Sequence, residues 1–187
     1  MKVFGIDPGS ERTGYGCVET DGSRHRLVVC GAIATSPRAA FPDKLLAIHD
    51  RLATLLAECR PDAVAVESIF YATNVRSALK LGHARGVVLL AAVEAGFPVA
   101  EYTPAEIKRA VVGYGRAEKH QVQEMVRLLL GLRTVPSPND AADALAVAIC
   151  HVHHQHPAIE SIVEATTRRG AKAAPRSWRQ FRPGSGR

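Results

Sequence analysis

Residues 3–16 read VFGIDPGSERTGYG, and this stretch decides the fold. Val3, Phe4 and Ile6 are strand formers, and the apolar run stops at Asp7-Pro8-Gly9. A short apolar run cut off by a turn signal is a strand buried on both faces. Asp7 therefore stands at the exit of a core strand. It either opens the Pro-Gly turn, a task that suits aspartate, or it is held there for chemistry and needs a cationic partner. The choice depends on whether other carboxylates reach the same place.

Working outward, residues 14–20 alternate like a second strand, Asp21-Gly22-Ser23 supplies a turn, and 26–35 read as a third strand. The three form an antiparallel meander. Residues 43–59 carry Leu45, Ile48, Leu52, Leu55 and Leu56 at helical spacing, and Pro61 stops that helix. Residues 62–67, DAVAVE, are a short apolar run after a helix, which predicts a core strand parallel to the first. A long helix follows over 74–96 and a short strand over 98–102. Thr103-Pro104-Ala105-Glu106 is a capping box with Pro in the first turn. Another helix spans 117–130, with Gly131 as its stop, and Ser137-Pro138 opens the last helix, which runs to about His153. This order predicts an α/β fold: a mixed five-stranded sheet, meander plus parallel strands, flanked by helices.

The chain has 187 residues, enough for one well-buried domain. Its net charge of +6 is unevenly placed. Residues 168–187 hold seven basic residues and no acid, which leaves 17 basic and 18 acidic residues elsewhere, a net of −1. The reading is a folded domain over 1–156 and a basic, disordered tail over 157–187. Trp178 and Phe181 lie among the tail arginines. That mixture suits a phosphate backbone and unstacked bases, or it is a solvated, solubilising end. Cys17, Cys30, Cys59 and Cys150 show no CxxC or zinc-finger spacing and read as small core residues in a reducing compartment. No secretory signal follows Met1-Lys2, and the longest apolar run, 87–93, is too short for a bilayer. A soluble, cytoplasmic protein with no membrane partner is expected.

Glu67 repeats the situation of Asp7, an acid at the exit of an apolar run. If the two strands are parallel neighbours, both acids emerge at one sheet edge, where open sheets place their ligand sites. Asp140 and Asp143, three apart on the last helix, share a face. With Ser137 as N-cap, Asp140 would complete a capping box. Asp143, between Ala142 and Ala144, has no such explanation and reads as a ligand. Four converging carboxylates repel one another unless a divalent cation relieves them. Hard oxygen donors favour Mg²⁺ or Mn²⁺, and two such ions about 4 Å apart can drive phosphodiester hydrolysis. His151, His153, His154 and His156 invite a metal reading too, but a helix C-terminus favours histidine through its dipole alone.

Four segments, GIDPGSERTGYG (5–16), VESIFYATNVRSALKLGHARG (66–86), KRAVVGYGRAEKHQVQ (108–123) and PNDAADALAVAI (138–149), resemble the RuvC-type Holliday junction resolvases. The resemblance covers about residues 1–154. It implies a ribonuclease H-like fold and a homodimer that cuts two opposed strands of a four-way DNA junction in recombination and repair. It further implies 5′-phosphate and 3′-hydroxyl ends, and the branch-migration helicase RuvA and RuvB as partners. Asp7, Glu67, Asp140 and Asp143 match the family's metal-binding acids; some members carry His at the position of Asp140. Two bound ions, Mg²⁺ or Mn²⁺, are implied. Lys108 and Lys119 match lysines that assist cleavage, where an ammonium stabilises charge building on the phosphate. By sequence alone each reads as a solvated helix lysine.

Phe70 matches a position that wedges into the crossover. It and Tyr71 could stack on bases or pack in the core. Asn74, Arg76, Ser77 and Arg85 are further candidate contacts to the DNA backbone. Ala78, Gly82 and Gly86 form a small-residue ridge for close helix approach, to a second subunit or to the protein's own sheet.

Three other readings stand beside this one. An ATP-binding domain of the actin and sugar-kinase type starts similarly but needs two lobes, and this chain is too short for them. A silent junction-binding module has no use for four acids. The shorter RNA-processing relative of RuvC is a closer rival, against which the Phe70 loop and the long motif over 77–86 favour the resolvase.

Overall fold

The computed structural model describes residues 1–68 and 74–155. In chain order the elements are β1 (Lys2–Asp7), β2 (Arg12–Thr20), β3 (His25–Ala34), α1 (Phe41–Cys59), β4 (Ala63–Glu67), α2 (Val75–Glu94), β5 (Val99–Tyr102), α3 (Pro104–Val112), α4 (Lys119–Leu129) and α5 (Asn139–Gln155). The sheet order is β3-β2-β1-β4-β5. The first three strands pair antiparallel, and β1, β4 and β5 run parallel. This is the mixed five-stranded sheet that the order of elements predicts.

The pleat divides the core in two. Successive side chains of a strand face opposite sides. Phe4, Ile6, Cys17, Val64 and Val66 pack with Ile48, Leu52, Leu55 and Leu56 of α1 and Val88 and Ala92 of α2. Val3, Val18 and Ala65 pack on the other face with α3, α4 and α5, through Ile107, Val122, Leu145 and Ile149 among others. Asp7 and Glu67 belong to this second face, each an even number of residues from Val3 or Ala65. They lie one step beyond the Ile6–Val66 pairing of the parallel strands β1 and β4.

Helix α5 lies across β1 and β2. Over residues 141–153 every side chain is buried except Asp143, which is partly exposed. Such close seating needs glycine beneath it. A methyl group at Gly5 would stand 2.1 Å from the Ala144 carbonyl oxygen, one at Gly14 2.0 Å from that of Asp140, and one at Gly16 2.6 Å from Leu145 Cγ. Any larger residue at Gly5 or Gly14 must push the helix off the sheet, and one at Gly16 must displace the Leu145 side chain.

Two local expectations change. Helix α5 begins at Asn139, two residues after Ser137. The Ala141 N–H donates to the Pro138 carbonyl at 2.9 Å, so Ser137 is not the cap and Asp140 closes no capping box with it. Asp140 sits in the first turn with its carboxylate directed elsewhere. The ridge on α2 also turns away from the sheet. The helix buries Ala84, Val88, Ala91 and Ala92, whereas Ala78, Gly82 and Gly86 are exposed. Among the described residues, nothing beyond the helix's own adjacent backbone lies within 4 Å of a methyl group placed at Gly82 or Gly86. Packing on the protein's own sheet is therefore not what these small residues serve.

The helix starts place the basic residues. Thr103 and Glu106 form the expected capping box of α3. Helix α4 opens two residues later than predicted, where the Glu118 N–H donates to Gln121 Oε1 at 2.9 Å, which makes Lys119 its first residue.

Candidate active site

Asp7 at the end of β1, Glu67 at the end of β4 and Asp143 in the second turn of α5 line one cleft of about 340 Å³. Lys108 of α3 and Lys119 of α4 line it too, between apolar walls from Pro104, Ile107, Val122 and Ala146. Five of the six residues that the family resemblance implies for catalysis thus meet. The sixth, Asp140, stands outside the lining and pairs with Arg12, its Oδ2 3.7 Å from the guanidinium.

The acids are not equivalent. Burial, and then the neighbouring Glu67, push the Asp7 carboxyl up to about 8. Burial also raises Glu67, while its hydrogen bond with Asp7 pulls the other way. Both carboxyls are thus shifted toward the protonated form, as close buried acids are. Asp143 is neutralised differently: Lys119 Nζ lies 2.6 Å from its Oδ2. That hydrogen bond holds the Lys119 ammonium above its ordinary range. Burial and mutual repulsion thus act on Asp7 and Glu67, whereas protein cations stand beside Asp143 and Asp140.

The donor set fits a hard divalent cation. The acidic lining is all carboxylate oxygen, with no histidine or cysteine, which suits Mg²⁺ or Mn²⁺ over zinc. Among the described residues no three such groups stand as a finished cage.

The candidate DNA contacts divide. Asn74 caps α2, its Oδ1 accepting the Ser77 N–H at 2.8 Å, and Asn74, Arg76 and Ser77 are all exposed there. Arg85 is engaged within the fold, in an ion pair with Glu101 of β5. Phe70 and Tyr71 lie outside the described residues, as do His156 and the tail with Trp178 and Phe181.

The remaining histidines brace the end of α5. His151 Nδ1 meets the Tyr102 hydroxyl at 2.8 Å, His153 Nδ1 donates to the Ala110 carbonyl at 2.9 Å, and His154 Nδ1 donates to the Cys150 carbonyl at 2.8 Å. Among the described residues they form no metal cluster.

Arg12 is the site residue that sequence reasoning passes over. It lies within the first motif, but its partner is 128 residues further on, and only the seating of α5 across β2 brings the two together.

Comparison with known proteins agrees with this geometry. The family described as Crossover junction endodeoxyribonuclease RuvC matches residues 3–151. The protein of that name from Syntrophomonas wolfei is 50% identical over 173 residues, covering 92% of this chain and 99% of the relative. Its Pelobacter propionicus counterpart is 52% identical over 186 residues, 98% of this chain and all of the relative. The structure of Thermus thermophilus RuvC in complex with a Holliday junction substrate superposes with a TM-score of 0.80 at 42% identity, covering 84% of this chain and 96% of that one. On its motifs, its ribonuclease H-like sheet and the length of these matches, the chain belongs to the RuvC family of crossover junction endodeoxyribonucleases.

Proposed function

We propose that the protein resolves four-way DNA junctions by paired, metal-dependent cuts. The observation that carries this reading is the meeting of Asp7, Glu67 and Asp143 with Lys108 and Lys119 in one cleft. In support, the relative from Thermus thermophilus is described in complex with a Holliday junction. Asp7, Glu67 and Asp143, with Asp140 at the rim, would hold the divalent ions. Bound there, such ions supply an activated water and a counter-charge for the leaving oxygen. Lys108 and Lys119 offer ammonium groups to the phosphate as negative charge builds on it. Attack of water on phosphorus with loss of the 3′ oxygen leaves a 5′-phosphate and a 3′-hydroxyl. Phe70 opens the crossover, with Tyr71, Asn74, Arg76 and Ser77 as further DNA contacts.

Two matched cuts need two sites. The exposed stripe of α2, with Val75 at 77%, Leu79 at 58%, Leu90 at 51% and Val93 at 63% exposure around Gly82 and Gly86, supports a two-fold dimer through that helix. The proposal extends to a domain over 1–156 with a DNA-contacting tail after it, to a place beside RuvA and RuvB, and to a cytoplasmic setting in recombination and repair. Among the described residues no helix is long and apolar enough to cross a membrane.

Incubation with a synthetic mobile junction and a linear duplex, each with and without Mg²⁺ or Mn²⁺, tests the reading. Symmetric nicks confined to the junction and to the metal-containing reactions are expected. Equal cutting of the duplex, or cutting in EDTA, would overturn it.

A further inference from the structure

Asp143 is mostly shielded, its side chain 19% exposed, and a carboxylate so placed is costly without a counter-charge. Lys119 supplies one from a different element, the first turn of α4, and its own side chain is 60% exposed. That asymmetry matters. The acid is fixed on a helix buried on nearly every side, whereas the ammonium sits on a four-carbon stem open to solvent and can leave without disturbing the core. Arg12 stands in the same relation to Asp140 but more loosely, at 3.7 Å, with side chains 54% and 30% exposed. An ammonium and a divalent cation cannot both occupy the inner face of one carboxylate, since they compete for its lone pairs and repel each other.

We infer that Lys119, seconded by Arg12, is a resident counter-cation of the cleft: it holds Asp143 until a divalent cation takes its place. This rests on reading the cleft as a divalent-cation site. Cation binding is then an exchange, weaker than the bare acids would allow. The displaced Lys119 ammonium stays within its stem's length of the cleft and becomes available to the phosphate. The same lysine thus sets the threshold of cation needed and is presented to the DNA only once that threshold is met.

Titration of the full-length, DNA-free protein with MnCl₂, followed by calorimetry, tests the exchange. Lys119→Met should bind Mn²⁺ about five- to tenfold more tightly than the parent, the size expected for removing a partly exposed ion pair. Lys119→Arg keeps the charge and should return affinity to near the parental value. Arg12→Met should give a smaller gain. Without metal, Lys119→Met should melt below the parent, and Mn²⁺ should close that gap. Unchanged or weaker Mn²⁺ binding by Lys119→Met would overturn the inference and show a lysine that only organises the acids. Absence of Mn²⁺ binding by parent and variant alike would instead sink the cation-site reading, and the inference with it.

Discussion

Asp7 would meet opposite demands with and without the proposed divalent cation. Its pKa is raised in the fold, from an ordinary 3.8 to about 8, so the folded state favours the protonated acid. A raised carboxyl lowers stability as pH climbs from the unfolded value to the folded one. EDTA-treated protein should therefore lose melting temperature progressively between about pH 4 and about pH 8, and saturating Mg²⁺ should flatten the loss. Asp7→Asn removes the repelling charge. It is expected to melt higher than the parent in EDTA at pH 8 and to cut no junction at all. Asp143→Asn should cut at least about 10²-fold more slowly while still shifting a four-way junction in a gel. Cleavage by that variant at the parental rate in Mg²⁺ would remove Asp143 from the chemistry.

Helix α5 shows how an element can be legible in part. Its existence follows from the alanine-rich run 141–148, and the sheet strands follow from apolar runs that end at Asp7 and Glu67. A period of two then puts both acids on one face, which is why that half of the site could be read from the chain. The helix's start and its partners could not. Ser137-Pro138 has the chemistry of a cap, yet the Pro138 carbonyl takes the first helical N–H itself, and Asp140 is left for Arg12. That pairing depends on how deeply the helix sits, which three separate glycines decide and no local pattern reports. Gly14→Ala places a methyl group 2.0 Å from the Asp140 carbonyl. It should destabilise the protein by about 1–3 kcal/mol in urea unfolding and weaken Mn²⁺ binding by moving the acids. Gly86→Ala meets nothing within 4 Å among the described residues beyond its own helix backbone and is expected to stabilise the isolated subunit by up to about 1 kcal/mol.

At the scale of the whole molecule the proposed second copy and the basic residues after 156 can each be tested. Leu79→Glu puts a charge into the exposed stripe of α2, and sedimentation should then report a monomer that keeps the parental far-ultraviolet spectrum. A variant that still sediments as a dimer would move the interface elsewhere. Deleting 157–187 removes seven of the chain's basic residues. It should leave the melting temperature unchanged and make junction binding less sensitive to salt, because fewer counterions are released.

The sheet that separates the two packed layers has one more consequence. Phe4 and Val64 belong wholly to the α1–α2 side, and Val3 and Ala65 to the α5 side. The molecule is therefore built like a tool with a handle and a blade bolted to one plate. On the proposed function, the handle would govern which copies meet and how far apart their edges are held, and the blade what happens at each edge. A hybrid carrying α1 and α2 from a distant relative could change the spacing of the two incisions without dulling either.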